Sequence, residues 1–146
     1  MAQEITLTLT VVQAYYNQLQ SALSGLESEL VDFLSKPRPN SVCIQDKEYS
    51  TGLVVCVRKV NRKVDEHPMQ RCLDIYTVSI NAPFNKMGAV ANIVKIIHKV
   101  NPYHLMYLHQ VTNTTLNVYL NKSGWVQDKG LNYYLSASPS GLSVGA

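Results

Sequence analysis

The sequence predicts an α+β fold in which a long N-terminal helix and a second, mid-chain helix pack on a mostly antiparallel sheet. Three observations predict it: a helical apolar spacing over residues 9–35, β-branched segments on both sides of the chain centre, and a second helical pattern between them. With 146 residues, 46% of them hydrophobic, the chain can bury one core. We therefore predict a single domain over residues 1–146, with residues 137–146 as a loose C-terminal tail.

The first helix is predicted over residues 9–35. Its apolar residues recur in steps of four and three, which places them on one side of a helix, at Val12, Tyr16, Leu19, Leu23, Leu26, Leu30 and Phe33. Pro37 ends it. Residues 5–11 alternate apolar residues with Thr and predict a short strand, with Thr10 as the helix cap; in the alternative, Thr8 caps the helix and the strand is absent. We expect the apolar stripe to pack on the protein's own sheet.

The rest of the chain predicts two groups of strands separated by the second helix. Before that helix lie strands at 42–44, 53–57 and 72–80, with the charged residues 58–71 as the outer part of a long hairpin. Asn85 is the predicted cap of the second helix, over residues 86–100. After it we predict strands at 105–111, 116–120, 125–126 and 131–135, with a turn at 121–124.

The composition favours a protein that assembles with others. Charged residues make up 16% of the chain, against roughly 25% in an ordinary soluble domain. Nine tyrosines and many Asn, Gln, Ser and Thr take their place. A surface poor in charge and rich in Tyr is typical of a protein–protein interface.

The charges are also unevenly distributed. Residues 1–35 contain four acids and no Lys or Arg, a net charge of −4, whereas the rest of the chain has a net charge of +7. An acidic helix against a neighbour's basic hairpin is a head-to-tail contact, which closes into a ring if the rotation permits. We therefore predict a non-enzymatic assembly subunit, a homo-oligomer that also contacts other structural proteins. Its predicted interface residues are Glu27, Glu29, Asp32, Arg58, Lys59, Arg62 and Lys63.

The basic stretch also supports a different class of function, a small nucleic-acid-binding or regulatory module. Arms of this kind lie along phosphates and bind with salt-dependent affinity. Acids follow the stretch directly and no aromatic residue interleaves it to stack on bases, so we favour a solvated hairpin tip. The residues of this alternative are Arg58, Lys59, Arg62, Lys63 and Arg71.

A small-molecule enzyme is the third possibility, and the sequence gives it little support. There is no glycine-rich nucleotide motif, so no cofactor is expected. His98, His104 and His109 lie close in sequence but lack the spacing and the neighbouring Cys or carboxylate ligands of a zinc site, so no metal is expected either. We interpret these histidines as solvated or as lying at the core edge.

Cysteine usage favours synthesis and residence in a reducing cytoplasm. Cys43, Cys56 and Cys72 are odd in number, widely spaced and set in apolar stretches, where a thiol behaves as a small buried hydrophobe. We therefore predict three unpaired thiols. No apolar run approaches the roughly 18 residues that a membrane span needs, so no membrane association is expected.

The predicted order of elements resembles that of the small bacteriophage tail-terminator and neck-completion proteins. These have a leading helix, a strand group with a long hairpin, a second helix and further strands, and they form rings where a tail meets a capsid. The resemblance covers most of the chain and rests on no sequence motif, so it transfers no residue role. It implies a ring-forming virion component, cytoplasmic until it is assembled.

Overall fold

The computed structural model describes residues 2–48 and 50–136, with side chains from residue 10 onward. It has four helices and six strands in these ranges, an α+β fold as predicted. The helices are α1 (Ala2–Ser35), α2 (Ala82–Asn85), α3 (Ala89–Val100) and α4 (Thr114–Lys122). The strands are β1 (Ser41–Gln45), β2 (Val54–Arg62), β3 (Gln70–Ser79), β4 (Leu105–Leu108), β5 (Val126–Gln127) and β6 (Tyr133–Ser136).

The strands form one sheet in the order β1-β2-β3-β4-β6-β5. The β3–β4 pair is parallel and the other pairs are antiparallel. A parallel pair needs a crossover connection, and α2 and α3 supply it between β3 and β4. The predicted long hairpin is confirmed, because β2 and β3 pair from Val54 opposite Ser79 to Arg62 opposite Gln70.

The main core lies between the helices and one face of the sheet. The apolar stripe of α1 is buried there from Leu19 to Phe33, together with the buried side of α3 and alternate residues of β2, β3 and β4. A fully buried Leu or Ile side chain stabilises a fold by roughly 1.5–3 kcal/mol. The burial of Leu19 to Phe33 with these strand residues confirms, for the C-terminal part of the stripe, the prediction that it packs on the protein's own sheet.

A second, smaller cluster lies on the opposite face of the sheet, which we call the helix-free face. Its buried members come from the strands and the β2–β3 connection, with no helical residue among them: Val64, Cys72, Leu105, Tyr107 and Tyr134. Because both faces of β4 are covered, all four of its residues are buried. This explains why the strand is almost continuously apolar in sequence.

Two predicted strands are wrong. Residues 5–11 belong to α1, which begins at Ala2. Residues 116–120 belong to α4, where Leu116 and Leu120 are buried one turn apart and the Asn113 side chain accepts from the Leu116 amide, 2.8 Å away. Over five residues, apolar positions at steps of two and four fit a strand and a helix equally well.

The second helix is interrupted where one continuous helix was predicted. Asn85 is the last residue of α2, and Gly88 stands before α3 with φ of 77°. Glycine adopts this left-handed conformation without the Cβ clash that other residues meet. The helix predicted over 86–100 therefore begins at Ala89, and the predicted Asn85 cap is wrong.

The prediction of three unpaired thiols is wrong for two of them. Cys43 and Cys56 form a disulfide, and only Cys72 is free and buried. The register of β1 on β2 places Cys43 directly opposite Cys56, a relationship that their separation of 13 residues does not reveal. Within the described ranges no helix has the length and apolarity to cross a membrane. The tail predicted at 137–146 lies outside the described residues.

Candidate functional site

The N-terminal part of α1 extends beyond the core. Among the side chains described, every one from residue 10 to residue 18 is exposed, and Leu19 is the first that is buried. We call residues 10–18 the exposed segment. It presents Val11, Val12 and Tyr16 with about half of each side chain in solvent: 50%, 52% and 49%. Tyr15 is less exposed, because its ring packs edge-on against Phe84 of α2 at 5.5 Å between centroids.

The exposed segment also lacks charge. No Asp, Glu, Lys or Arg occurs between Glu4 and Glu27, whereas a helix face that remains in water ordinarily carries charged residues. The polar positions are amides and hydroxyls, and Gln13 donates to the side chain of Asn17 one turn away over 2.9 Å. The segment can therefore lie against another apolar, uncharged surface without burying a charge.

The predicted acidic residues lie on the other, core-packed part of α1. Glu27 accepts from Lys99 of α3 at 3.0 Å, and Asp32 pairs with Lys36 one turn further on. Glu29 makes no ion pair with a described residue and lines a cavity of about 210 Å³ beside the β1–β2 connection. Two of the three predicted interface acids thus have partners in their own chain.

Lys59 is buried, with 4% of its surface exposed. Its Nζ donates to the carbonyl oxygens of Phe33, Lys36 and Pro39 at 2.8, 2.5 and 3.3 Å, and lies 4.2 Å from the Phe33 ring centroid. Burial lowers the pKa of Lys59, and the positive charge of Arg71 adds to that effect. This lysine holds the C-terminal end of α1 on the sheet and is not available to a partner.

Arg58 and Arg62 lie on the helix-free face and converge on Asp74, whose side chain is fully buried. The Arg58 Nε lies 2.5 Å from one carboxylate oxygen of Asp74, and the Arg62 Nη2 lies 3.0 Å from the other. His109 Nε2 is 2.7 Å from the oxygen that Arg62 binds. We call these four residues the Asp74 cluster. Its two guanidinium groups outnumber its one carboxylate, so it carries net positive charge.

Aromatic rings hold both guanidinium groups. Arg62 stacks over Tyr107 at 4.0 Å from the centroid, and Arg58 over Tyr76 at 5.1 Å. The buried Nε of Arg62 has no hydrogen-bond acceptor among the described residues. Tyr107 also packs edge-on against His109 at 4.9 Å. The cluster is therefore held from two directions, by the buried carboxylate and by the rings.

Two tyrosine–carboxylate hydrogen bonds flank the cluster on the same face. Tyr107 donates to Asp128 over 2.5 Å, and Tyr134 donates to Asp65. Burial raises the pKa of Tyr134 to about 12, with the Asp65 carboxylate adding to the shift. Burial and Asp128 likewise raise the pKa of Tyr107. Both phenols therefore remain protonated donors at neutral pH.

Of the five basic residues predicted for nucleic-acid binding, Lys63 and Arg71 are the two that are neither buried nor paired with Asp74. Both are exposed, and Arg71 lies over the Tyr103 ring at 5.8 Å from its centroid. With Lys59 buried and Arg58 and Arg62 on Asp74, the five basic residues do not form one continuous surface for phosphates.

The three histidines that lie close together in sequence, His98, His104 and His109, are in different environments. His98 and His104 are exposed, and His109 is 23% exposed beside Asp74. No three His, Cys, Asp or Glu side chains in the described ranges are arranged to hold a metal ion. Sequence reasoning missed Asp74, although one signal was present: an acid in the middle of an apolar strand needs buried partners.

Comparisons with known proteins leave the chain without an assigned family. No protein-family model matches it. No curated protein matches it either.

Proposed function

We propose that this chain is a non-enzymatic subunit of a homo-oligomeric assembly, in which the exposed segment of α1 contacts a second copy of the chain. The observation that carries the proposal is the half-exposed group Val11, Val12 and Tyr16 on a helix that carries no charge from residue 5 to residue 26. A helix with this surface gains stability when the surface is covered.

The energetics of helices support the proposal. An isolated helix of about 12–15 residues is only marginally stable in water, and in proteins most helical stability comes from packing of an apolar face. Such packing is limited from residue 11 to residue 18, where every described side chain is exposed and the Tyr15 ring lies edge-on against Phe84. Association of two exposed segments would supply it.

The absence of charge favours a second copy as the partner. Two copies of a segment that carries net charge oppose like charges, and an uncharged segment avoids this. The apolar spacing of the core stripe continues through Tyr16 and Val12 into this segment, which gives the two helices a seam on which to pack.

The predicted contact between acidic helix and basic hairpin stays a prediction. Glu27, Asp32, Arg58, Lys59 and Arg62 all have partners in their own chain. Of the residues proposed for that contact, Glu29 and Lys63 make no ion pair with a described residue. We therefore propose the uncharged part of α1 as the primary contact.

The specific form of the proposal is a ring subunit of the kind found in phage tail-terminator and neck-completion proteins, in which each exposed segment contacts those of two neighbours around a rotation axis, since a single pair of segments closes as a dimer. The leading helix, the long hairpin and the mid-chain helix support it. The element order behind that resemblance differs at α4, where a strand was expected.

Two valines of α1 provide a matched test. Val12 and Val31 are 52% and 51% exposed, but Val12 lies in the exposed segment and Val31 lies beside the core-packed stripe. The wild-type chain should be oligomeric by light scattering and sedimentation velocity across micromolar concentrations. Val12→Glu should lower its mass toward that of a monomer, and Val31→Glu should not.

Two results would count against the proposal. A wild-type chain that is monomeric throughout this range would overturn assembly by self-association. An oligomer that responds equally to Val12→Glu and Val31→Glu would overturn the proposed contact alone. If the monomer binds duplex DNA with an affinity that falls steeply with salt, nucleic-acid binding replaces assembly as the function of the chain.

A further inference from the structure

A cavity of about 220 Å³ opens at the carboxyl ends of β3 and β4. These are the two parallel strands of the sheet, joined by the α2–α3 crossover. Crevices outside the carboxyl ends of parallel strands are where open α/β sheets bind ligands. No residue of α1 is among the described residues that line this cavity, so it is separate from the proposed assembly contact.

The lining combines an apolar wall with a polar edge. Ile75, Val78, Val90 and Leu116 are among the apolar residues, and Thr77, Thr112, Asn113 and His109 are among the polar ones. No Asp, Glu, Lys or Arg is among the described residues that line it. A negatively charged ligand would therefore meet no like charge on the wall.

His109 is the group on this wall that can recognise a negative charge. Its Nε2 is bound to the buried carboxylate of Asp74 at 2.7 Å, and the Tyr107 ring packs on it. Because Nε2 donates to the Asp74 carboxylate, the second ring nitrogen, Nδ1, can donate to an anion when the ring is an imidazolium. The backbone amide of His109 donates to the carbonyl of Ile75 over 3.1 Å, which fixes His109 at the end of β4.

The charges around His109 also favour an anion. Arg58 binds one carboxylate oxygen of Asp74 and Arg62 binds the oxygen that His109 also contacts, and together the two guanidinium groups more than neutralise the carboxylate. Arg58 stacks on Tyr76, which itself lines the cavity. The two other acids described on this face, Asp128 and Asp65, accept from the hydroxyls of Tyr107 and Tyr134. The start of α4 at Thr114 adds a favourable helix dipole.

We propose that this cavity binds a small organic carboxylate, with its carboxylate group accepting from Nδ1 of the His109 imidazolium and its apolar body against Val90 and Leu116. The volume admits a ring or a short chain but no nucleotide, since pockets for drug-sized ligands are about 300–1,000 Å³. The ligand is held by one charged hydrogen bond and by burial of its apolar part.

Three probes separate the contributions of charge and apolar body. Benzoate has both, benzyl alcohol keeps the ring without the charge, and inorganic phosphate keeps the charge without the ring. In amide-resolved NMR titrations of the full chain, benzoate should give saturable shifts at the amides of Val90, His109 and Asn113. Benzyl alcohol and phosphate should each bind at least about tenfold more weakly.

Two histidine variants provide the matched control. His109→Gln should weaken benzoate binding about tenfold, and His104→Gln, at an exposed position away from the cavity, should leave it unchanged. Val90→Phe, which fills the cavity while His109 remains, should also abolish the shifts. The amide spectra of the three variants report whether each is folded.

The proposal is overturned if benzoate shows no saturable binding below about 10 mM. It is equally overturned if folded His109→Gln binds benzoate as tightly as His104→Gln does. If phosphate binds more tightly than benzoate, the site recognises a bare oxyanion and the proposed carboxylate ligand is wrong.

Discussion

The ammonium group of Lys59 donates to the carbonyl oxygen of Phe33 over 2.8 Å, which joins the middle of β2 to the last turn of α1. The last carbonyls of a helix have no partner within the helix itself. Here one buried side chain serves the carbonyl of Phe33 and those of Lys36 and Pro39 in the connection that follows. The orientation of α1 on the sheet therefore depends on a residue of the basic hairpin.

Replacing Lys59 with Met should lower the free energy of unfolding by about 2–3 kcal/mol. The substitution keeps the apolar stem but leaves the carbonyls of Phe33, Lys36 and Pro39 without their donor. Urea denaturation followed by circular dichroism measures the change. Lys63→Met is the control, because Lys63 is exposed and its replacement should alter stability by no more than about 0.5 kcal/mol. Equal effects of the two substitutions would contradict this role for Lys59.

Arg62→Glu should destabilise the chain by about 3 kcal/mol, because it places a carboxylate against the fully buried carboxylate of Asp74 and removes one of its partners. Lys63→Glu should be close to neutral. Thermal unfolding of the two variants measures the difference. If Arg62→Glu proves as stable as Lys63→Glu, the contact with Asp74 contributes little. A charge-reversal test of the predicted hairpin contact must therefore use Lys63.

The basic hairpin shows how far the sequence could predict the site. It correctly predicted a hairpin and a basic stretch, but it treated Arg58 and Lys59 as one surface. Adjacent residues of a strand point to opposite faces, so Lys59 turns toward α1 while Arg58 turns toward Asp74. The alternation itself was predictable from the strand. The identity of the partners was not, because Phe33 and Asp74 come from other elements.

The same limit applies to the elements that were predicted wrongly. Leu116 and Leu120 fit a strand and a helix equally well, and the Asn113 cap decides between them. Cys43 and Cys56 become neighbours only through the register of β1 on β2. By contrast, the stripe from Leu19 to Phe33 was predicted correctly, since seven-residue spacing over several turns is specific for a helix.

Thiol counting should distinguish the three cysteines. Native protein should react with no equivalent of a thiol reagent at pH 8, because Cys72 is buried and burial, with the charge of Asp74, raises its pKa to about 12. Thiolate is the reactive form. Denaturation without reductant should release one reactive thiol and denaturation after reduction should release three, as the Cys43–Cys56 disulfide requires. Three thiols before reduction would show that this disulfide does not form.

Asp46 should make stability depend on acid pH. Burial alone would raise the pKa of Asp46, but hydrogen bonds from the amide and hydroxyl of Thr51, with those from Glu48 and Ser50, lower it from its ordinary value of 3.8. A carboxyl whose pKa is lower in the folded state stabilises that state above the unfolded pKa. This contribution is lost as the pH falls through the folded pKa.

Asp46→Asn should therefore cost about 1 kcal/mol of unfolding free energy at neutral pH, and the difference from wild type should shrink as the pH falls below 3.8. Urea midpoints measured at neutral pH and at successively lower pH give this difference directly. Asp32→Asn is the control, because Asp32 is exposed and its pair with Lys36 is of the surface kind that contributes little. A cost for Asp46→Asn that stays constant across the acid range would mean that the neutral hydrogen bonds at Thr51, rather than the carboxylate charge, hold the β1–β2 connection.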